Sequence, residues 1–326
     1  MEKIKINLDK DTLIKLNNDM LSFKFYKENN QVNKNGFLNT LLHNYFPIYD
    51  KLTTNSINKY NKIISLHITN KEQSQKIVNS LISQDELFSF NKDSHLESSL
   101  SFKPNNINKR IISIIINKYT DNQSISSFFR NMISHYLQLP QYKREQIIYA
   151  NNYELIQEAI ESKRKITLCI NKENIIVSPY KITTSNEELY NYLICLTENK
   201  NKAIMSFHLY KIDYAYLSQE IVCFNNEDSK ALEKIATSNP QFPYYQTKNT
   251  IIELTKAGTK MFENKYLNRP SPYKIENNTY YFDCSYNQIV NYFFPFAKNA
   301  KIIEPIELKE TIKKMYLEAY NNYISE

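Results

Sequence analysis

The side chains that most often bind metals or form redox centres are too widely spaced in this sequence to make a local site. The histidines lie at least 24 positions apart and the cysteines at least 26, so the chain has neither an HExxH pair nor a CxxC motif. This spacing predicts no metal and no redox cofactor, and it favours reduced, buried thiols. The residues concerned are His43, His67, His95, His135, His208, Cys169, Cys195, Cys223 and Cys284.

Glycine is so rare that the common nucleotide-binding loops are excluded. Only Gly36 and Gly258 occur in 326 residues, whereas a Walker loop, a Rossmann fingerprint and a nucleophile elbow each need two or more glycines close together. No nucleophile is paired with a base in a recognisable pattern. We therefore expect a binding protein that uses no cofactor, not an enzyme.

Positive charge is concentrated in the first half of the chain. Residues 1–150 carry 20 Lys and Arg against 13 Asp and Glu, whereas residues 151–326 carry 21 of each, so the whole net charge of +7 lies before residue 151. This asymmetry predicts an N-terminal module that binds a polyanion. The alternative is that the amino-acid composition, which is rich in Lys and Asn, reflects an AT-rich coding sequence alone.

The length predicts two or three domains, each with its own core. The first ten residues, MEKIKINLDK, lack the apolar run of an export signal. The longest largely aliphatic stretch, residues 111–116, is too short to cross a bilayer. We expect a cytoplasmic protein without membrane contacts.

A strand, helix, helix pattern occurs twice in residues 1–150. Residues 3–8 alternate polar and apolar side chains, which indicates a half-buried strand, and 9–20 and 36–46 have helical periodicity. Asp9 or Asp11 could cap the first helix, and Pro47 is expected to end the second. The pattern recurs at 99–103, 104–119 and 124–137, and the residues between the copies, 51–92, are predicted to be a helical insert with segments at 63–68 and 77–87.

The second helices of the two copies align at a constant offset of 91 positions. FLNTLL at 37–42 matches FFRNMI at 128–133, and Tyr45 matches Tyr136. The alignment predicts an internal repeat with copies at about 3–47 and 99–140.

This order resembles the ribbon-helix-helix family, whose two units pair their strands into one antiparallel ribbon that lies in the DNA major groove. The resemblance implies that outward strand residues meet bases or phosphates and that the second-helix N-termini face phosphates. Alternatively, two helical hairpins pack together with solvated polar faces. The positions carried over are Lys3, Lys5, Asn7, Ser99, Ser101 and Lys103.

From residue 153 the pattern changes to a helix at 155–162 followed by strands near 166–170, 175–180, 190–196 and 203–208. Four strings are similar to the WYL domain, in the family's order: IQEAI before the basic KRK (156–165), VSPYKI (177–182), YLI (192–194) and FHLYKI (207–212). The resemblance implies an Sm-like β-barrel over residues 151–225 that senses a ligand or nucleic acid without catalysis.

The WYL resemblance also implies a binding pocket. Asn191 and Met205 stand where the family has tryptophan and arginine, and a lysine replaces a second arginine, so bidentate phosphate binding is lost. The remaining aromatic, lightly basic surface suits stacking on single-stranded bases. Alternatively, the tyrosines are ordinary barrel core. The pocket positions carried over are Tyr180, Tyr192, His208, Tyr210 and Lys211.

Residues 226–326 are similar to the extension that often follows a WYL domain, which implies an α/β ferredoxin-like fold. Strands and helices are predicted at 250–254, 258–267, 279–285, 286–294, 300–304 and 306–323, with a proline opening the last helix. An apolar stripe on that helix is expected to be core, or alternatively a homodimer seam, because WYL proteins often dimerise here. The stripe consists of Leu308, Ile312, Met315 and Ala319.

The predicted fold class is therefore α+β multidomain, with an α-rich ribbon-helix-helix-like module, a central barrel and the extension. This combination resembles the accessory proteins of type VI-D CRISPR systems, which implies a single-stranded-RNA-binding protein that modulates an effector nuclease. The alternative is a transcription regulator whose ribbon reads operator DNA while the barrel senses a ligand. Both imply nucleic-acid binding that weakens steeply with salt.

Overall fold

The computed structural model describes residues 2–84, 95–119, 123–185, 187–198, 203–237, 240–242 and 249–324. It is a mixed α+β structure that divides into two compact units, Met1–Tyr153 and Glu154–Glu326. Three antiparallel sheets of two, five and four strands are present in the described residues. The finer division into domains 1–150, 151–225 and 226–326 stays a prediction.

The first unit surrounds a two-stranded ribbon with helices. Its elements are β1 (Ile4–Leu8), α1 (Lys10–Ser22), α2 (Lys34–Ser65), α3 (Lys71–Gln84), β2 (Ser98–Phe102), α4 (Asn106–Tyr119), α5 (Ile125–Gln138) and α6 (Gln141–Ile148).

The predicted capping of the first helix is present. Asp9 precedes α1 with an extended backbone, and its Oδ1 accepts a hydrogen bond from the Thr12 amide at 2.8 Å. Burial acts to raise the pKa of the Asp9 carboxyl, but the hydrogen bonds from Thr12, together with those from the backbone of Asp9 and Asp11, outweigh it and the net pKa is lowered. Asn105 caps α4 in the same way, accepting from the Asn108 amide at 2.9 Å.

The prediction that Pro47 ends the second helix is wrong. The helix α2 continues through Pro47 to Ser65. Its inward side remains apolar and packed beyond the proline, where Tyr49 is 3% and Ile64 8% exposed, so packing offsets the lost backbone hydrogen bond. The helix α3 then packs against this extension and buries Val78. Of the predicted segment 77–87, residues 85–87 lie outside the described part of the chain, as do residues 88–92 of the insert.

The core of the first unit is aromatic, and a buried ion pair joins its helices. The tyrosines of the repeat, Tyr45 and Tyr136, are fully buried with their rings 5.6 Å apart. Arg144 on α6 donates to both carboxylate oxygens of Asp19 on α1, at 2.7 and 2.8 Å. Asp19 is 3% exposed, so this bidentate pair is shielded from water.

The second unit begins with α7 and an open five-stranded sheet. Its elements are α7 (Ala150–Glu161), whose first residues precede the boundary, β3 (Arg164–Ile170), β4 (Glu173–Thr184), β5 (Asn191–Thr197), β6 (Ile204–His208) and β7 (Tyr214–Ile221).

The strand order is β6-β5-β4-β3-β7, with every neighbouring pair antiparallel. Sequence patterns did not predict β7. The structure does not show the predicted closed barrel, because within the described strands β6 and β7 lie at opposite edges and do not pair. A 3-10 turn at Leu209–Lys211 directs the chain from one edge to the other.

A helix and a four-stranded sheet complete the second unit. The elements are α8 (Asn226–Thr237), β8 (Thr250–Leu254), α9 (Lys256–Asn264), β9 (Pro272–Glu276), β10 (Thr279–Phe282), α10 (Tyr286–Phe293), β11 (Ala300–Glu304) and α11 (Ile306–Ile324). The sheet order is β11-β8-β10-β9, and all its neighbouring strands are antiparallel.

The apolar stripe of α11 belongs mainly to the core. Leu308 is 2% and Ile312 8% exposed, and both pack in the cluster under the four-stranded sheet. Met315 and Ala319, farther along the helix, are half-buried. The core interpretation therefore fits the first half of the helix, and the homodimer stays a prediction.

The four cysteines are free, and their exposure differs. Cys169 and Cys195 are buried and Cys284 is half-buried, but Cys223 is exposed, so the prediction of buried thiols is wrong at that position. Cys223 follows β7, which is an edge strand of the five-stranded sheet. In the described ranges, no helix combines the length and the apolar character needed to cross a membrane.

Candidate nucleic-acid interface

The two predicted strands of the first unit pair into an antiparallel ribbon. Ile6 lies opposite Leu100 at its centre, with Lys5 opposite Ser101 and Asn7 opposite Ser99. The apolar members point inward, since Ile6 is 0% and Leu100 6% exposed. Period-two alternation then places the polar members on the opposite face.

All six predicted binding residues of this module are exposed. Four of them, Lys5, Asn7, Ser99 and Ser101, form the outer face of the ribbon. The other two lie outside the strands: Lys3 comes just before β1 and Lys103 just after β2. The structure thus brings the predicted residues together on one surface, although their binding role stays a prediction.

The end of β1 is held by the N-terminal turn of α5. The backbone N–H of Asn7 donates to Ser126 Oγ at 3.0 Å, and the Asn7 carbonyl accepts from the Arg130 guanidinium at 3.2 Å. Arg130 also donates to Ser127 Oγ at 2.9 Å. Burial lowers the pKa of Arg130. This arrangement fixes a cationic side chain beside the ribbon end.

The residue after β2 is held by the N-terminal turn of α2 in the equivalent way. The Lys103 N–H donates to Asn35 Oδ1 at 2.7 Å, and the Lys103 carbonyl accepts from Asn39 Nδ2 at 3.0 Å. Asn35 and Asn39 stand 91 positions before Ser126 and Arg130, which is the offset of the sequence repeat. Each strand is therefore fixed by the second helix of the other copy.

Both second helices begin beside the ribbon with capped N-termini. Asn33 accepts from the Gly36 amide at 2.9 Å, and Ser124 accepts from the Ser127 amide at 3.1 Å. Helix N-termini carry partial positive charge that favours anions, so phosphates near the ribbon would meet two such ends. A side chain at Gly36 would displace the cap, because an added Cβ would lie 2.5 Å from Asn33 Nδ2.

Sequence reasoning missed the residues that hold the ribbon ends. The repeat aligns Arg130 with Asn39, but the alignment alone assigns neither residue a role at the ribbon. The repeat could have identified this contact. Two equivalent helix turns that face one ribbon are expected to place hydrogen-bond donors at equivalent positions beside its backbone. Lys, Arg and Ser side chains can all donate hydrogen bonds to phosphate oxygens.

The predicted pocket residues of the second unit are only partly brought together. His208 lies 4.3 Å from the Tyr192 ring and 4.7 Å from the Tyr210 ring, measured between centroids. Tyr190, which was not predicted, joins this aromatic cluster at 5.4 Å from Tyr210 and 5.6 Å from His208. Lys211 is exposed in the adjoining 3-10 turn.

The helix α8 covers the inner side of this cluster. Tyr192 is 2% exposed, packs with Leu232 and Ile235 of α8, and donates its hydroxyl to Glu188. Tyr180 donates its hydroxyl to Glu233 of α8 at 2.8 Å, and this hydrogen bond is the main reason why its pKa is raised. These two tyrosines take part in the packing between sheet and helix, and their binding role stays a prediction.

No protein-family model and no curated protein matches the chain. Among solved structures, it is similar to one described as "Crystal structure of a CRISPR Cas-related protein", with a TM-score of 0.68 and 18% identity, over 99% of this chain and 94% of that one. This similarity shows a shared fold. Similarity to proteasome accessory factor B/C of Arthrobacter aurescens has a TM-score of 0.22 and 12% identity, over 50% of this chain and 26% of the other, and carries no argument.

Proposed function

We propose that this chain is a non-enzymatic regulatory protein that binds single-stranded RNA and modulates an RNA-targeting CRISPR effector nuclease. The observation that carries the proposal is the paired ribbon. Its outer face presents Lys5, Asn7, Ser99 and Ser101 to solvent, while hydrogen bonds from the second helices hold the backbone of Asn7 and Lys103. Such a face can exchange water for a nucleic-acid ligand without local unfolding.

The proposal includes the finer fold assignments. The crossed contacts between ribbon and second helices support a ribbon-helix-helix-like module. The order β6-β5-β4-β3-β7 after α7 supports an Sm-like WYL domain in open form. The order β11-β8-β10-β9, with a helix after β8 and another after β10, supports a ferredoxin-like extension.

Association with a CRISPR system is supported by the fold shared with the CRISPR Cas-related protein, which extends over nearly the whole of both chains. The description of that protein states a relation to Cas proteins and names no ligand. The assignment to RNA and to an effector nuclease rests on the resemblance of the sequence to type VI-D accessory proteins, and so does a cytoplasmic homodimer.

The second candidate is a transcription regulator that binds operator DNA through the ribbon and senses a ligand through the WYL domain. One observation favours it: the two helix N-termini and the ribbon form the surface with which ribbon-helix-helix proteins meet duplex DNA. The two candidate functions differ in the nucleic acid that is bound, but both place it on the ribbon surface.

A titration of the full chain against labelled oligouridine and random duplex DNA tests the proposal. We expect tighter binding to the RNA, with a logarithmic salt slope near −0.7 per phosphate contacted. The triple variant Lys3→Gln/Lys5→Gln/Lys103→Gln should weaken RNA binding roughly 50-fold at physiological salt and reduce the slope by about 2. Tighter binding to the duplex than to the RNA would favour the transcription regulator, and absence of any binding at low salt would refute both.

The matched control removes three lysines from the helical insert of the same unit. Lys59, Lys62 and Lys71 are exposed. They belong to α2 and α3 and not to the ribbon strands β1 and β2. Replacing these three with glutamine changes net charge equally. If this control weakens RNA binding as much as the ribbon variant, the ribbon is not the contact surface and only overall charge matters.

A further inference from the structure

A groove of about 410 Å³ lies between the last strand and the last helix of the chain. Residues of β11, including Lys301 and Ile302, form one side, and α11 forms the other. The volume is within the range of small-ligand pockets. None of the predicted site residues lines it, so it is separate from both surfaces described above.

One face of α11 is directed into this groove. Lys309, Lys313, Tyr316 and Tyr320 line it at successive spacings of four, three and four, which places them in a row along one side of a helix. The floor is apolar and includes Ile312, which is 8% exposed.

Two tyrosines form an aromatic wall of the groove. The ring of one is held by contacts within the protein, and the ring of the other is exposed to solvent. Tyr316 stacks on Phe294 at 4.7 Å and donates its hydroxyl to the Phe294 carbonyl at 2.7 Å. Tyr320, one turn farther, is 63% exposed. An exposed ring on a rigid helix is a platform on which a planar base can stack.

Three lysines surround the groove. Lys313 has an exposed ion pair with Glu310 at 3.3 Å. In the described residues no ion pair joins Lys301 or Lys309 to an acid, although Glu253 lies opposite Lys301 across the strand pair. Exposed pairs of this kind contribute little, so the ammonium groups are available to an anion.

We infer that this groove binds one nucleotide of a single-stranded RNA, with the base against Tyr320 and the apolar floor and the phosphate among the lysines. The inference rests on the proposed function and extends it by a second contact site in the C-terminal sheet. Its combination of an apolar floor, an open aromatic ring and lysines along the rim matches the three parts of a nucleotide.

Neighbouring residues on α11 provide matched variants. Lys313 lines the groove while Lys314 does not, and each has one exposed ion pair on the same helix. Likewise Tyr320 lines the groove while Tyr323, 86% exposed, does not. In titrations of the full chain with labelled oligouridine, we expect Lys313→Gln to weaken binding roughly threefold and Tyr320→Ala about tenfold. Lys314→Gln and Tyr323→Ala should leave the affinity unchanged.

The outcomes distinguish this inference from the proposed function. If the wild-type chain binds RNA and the groove variants match their controls, the groove assignment fails and the proposed function stands. If the wild-type chain binds no RNA, the proposed function itself fails. If uridine monophosphate binds the wild-type chain as tightly as oligouridine does, the ligand is a free nucleotide and the strand assignment is overturned. Sedimentation compares the assembly state of Tyr320→Ala with that of the wild-type chain. If the variant disrupts an assembly of two copies, the groove assignment is also overturned.

Discussion

The ribbon of the first unit and the aromatic cluster of the second contain the two sets of residues that sequence patterns marked for binding, and the structure treats them differently. On the ribbon, side chains such as Lys5 point to solvent and the backbone of Asn7 makes the structural hydrogen bonds. In the cluster, the side chain of Tyr192 is buried under α8 and its own hydroxyl is bonded. A side chain that is buried and already hydrogen-bonded in the fold is less available to a ligand than one that points to solvent.

The comparison predicts a clean separation of effects. Ribbon variants should change binding and leave stability unaltered, whereas cluster variants should change stability and leave the affinity of the folded protein unaltered. Substitutions of Tyr192 and Tyr180 test the second unit, a substitution of Arg130 tests a residue that serves both roles, and a substitution of Asp9 tests a helix cap outside both regions.

Tyr192→Ala should have the largest effect, because it removes a fully packed aromatic ring from beneath α8. We expect the free energy of unfolding to fall by about 3–5 kcal/mol. Urea denaturation measures the loss, and RNA titration below the transition measures binding by the folded fraction. Lower RNA affinity of the folded variant would show that this tyrosine meets the ligand and would remove the contrast.

Arg130→Leu should have an intermediate effect on both properties, since this side chain both fixes the ribbon end and carries charge beside it. Loss of its hydrogen bonds to Asn7 and Ser127 should cost about 1.5–3 kcal/mol of stability. Arg130→Asn introduces the residue found at the equivalent position of the other repeat copy. It should recover part of the lost stability, but the salt dependence of RNA binding should stay reduced because the positive charge is still absent. Equal stability of the Leu variant and the wild-type chain would mean that the contact to Asn7 contributes nothing.

Asp9→Ala removes the cap of α1 and should cost about 1 kcal/mol at neutral pH. The folded pKa of Asp9 is lowered from the ordinary value of 3.8, so its contribution is present above that value and is lost as pH falls through the folded pKa. Thermal unfolding of wild-type and variant chains should therefore converge in acid. Asp11→Asn, in the same turn without that hydrogen bond, is the control and should show a smaller difference throughout.

Tyr180→Phe should have the smallest effect, about 0.5–1 kcal/mol of stability, because only the hydroxyl bond to Glu233 is lost and the ring contact with Phe224 is kept. RNA affinity should not change. Tyr180→Ala removes the whole ring and tests the same point more strongly. If the ring stacks on a base, this variant should lose about 1–3 kcal/mol of RNA-binding free energy in the titration, which would contradict the expected unchanged affinity.

Much of the fold could be predicted because short periodic patterns decide it locally. The ribbon followed from two alternating segments, and the second-helix repeat followed from matched apolar positions. The unbroken course of α2 through Pro47 could not be predicted, since it depends on packing that outweighs a local signal. The strand β7 was missed because its exposed Tyr214 and Tyr216 blur the alternation between buried and exposed sides.

The candidate sites divide along the same line. Exposure of Lys5 and Ser101 is a property of strand periodicity, so it was available from the sequence. Coverage of Tyr180 and Tyr192 by α8 is a tertiary contact between segments about 40 or more positions apart, and no local string reports it. The groove beside α11 is likewise formed by a strand and a helix whose separate patterns showed only a buried stripe.

The ribbon is built from two strands of a single polypeptide, and this allows its halves to differ. An assembly of identical chains must repeat every side chain by symmetry, whereas here β1 offers Lys5 and Asn7 and β2 offers Ser99 and Ser101. The cationic character is therefore uneven across the face. A nucleic-acid strand has a chemical direction, and an uneven face can hold it in one orientation, which an exact twofold surface cannot.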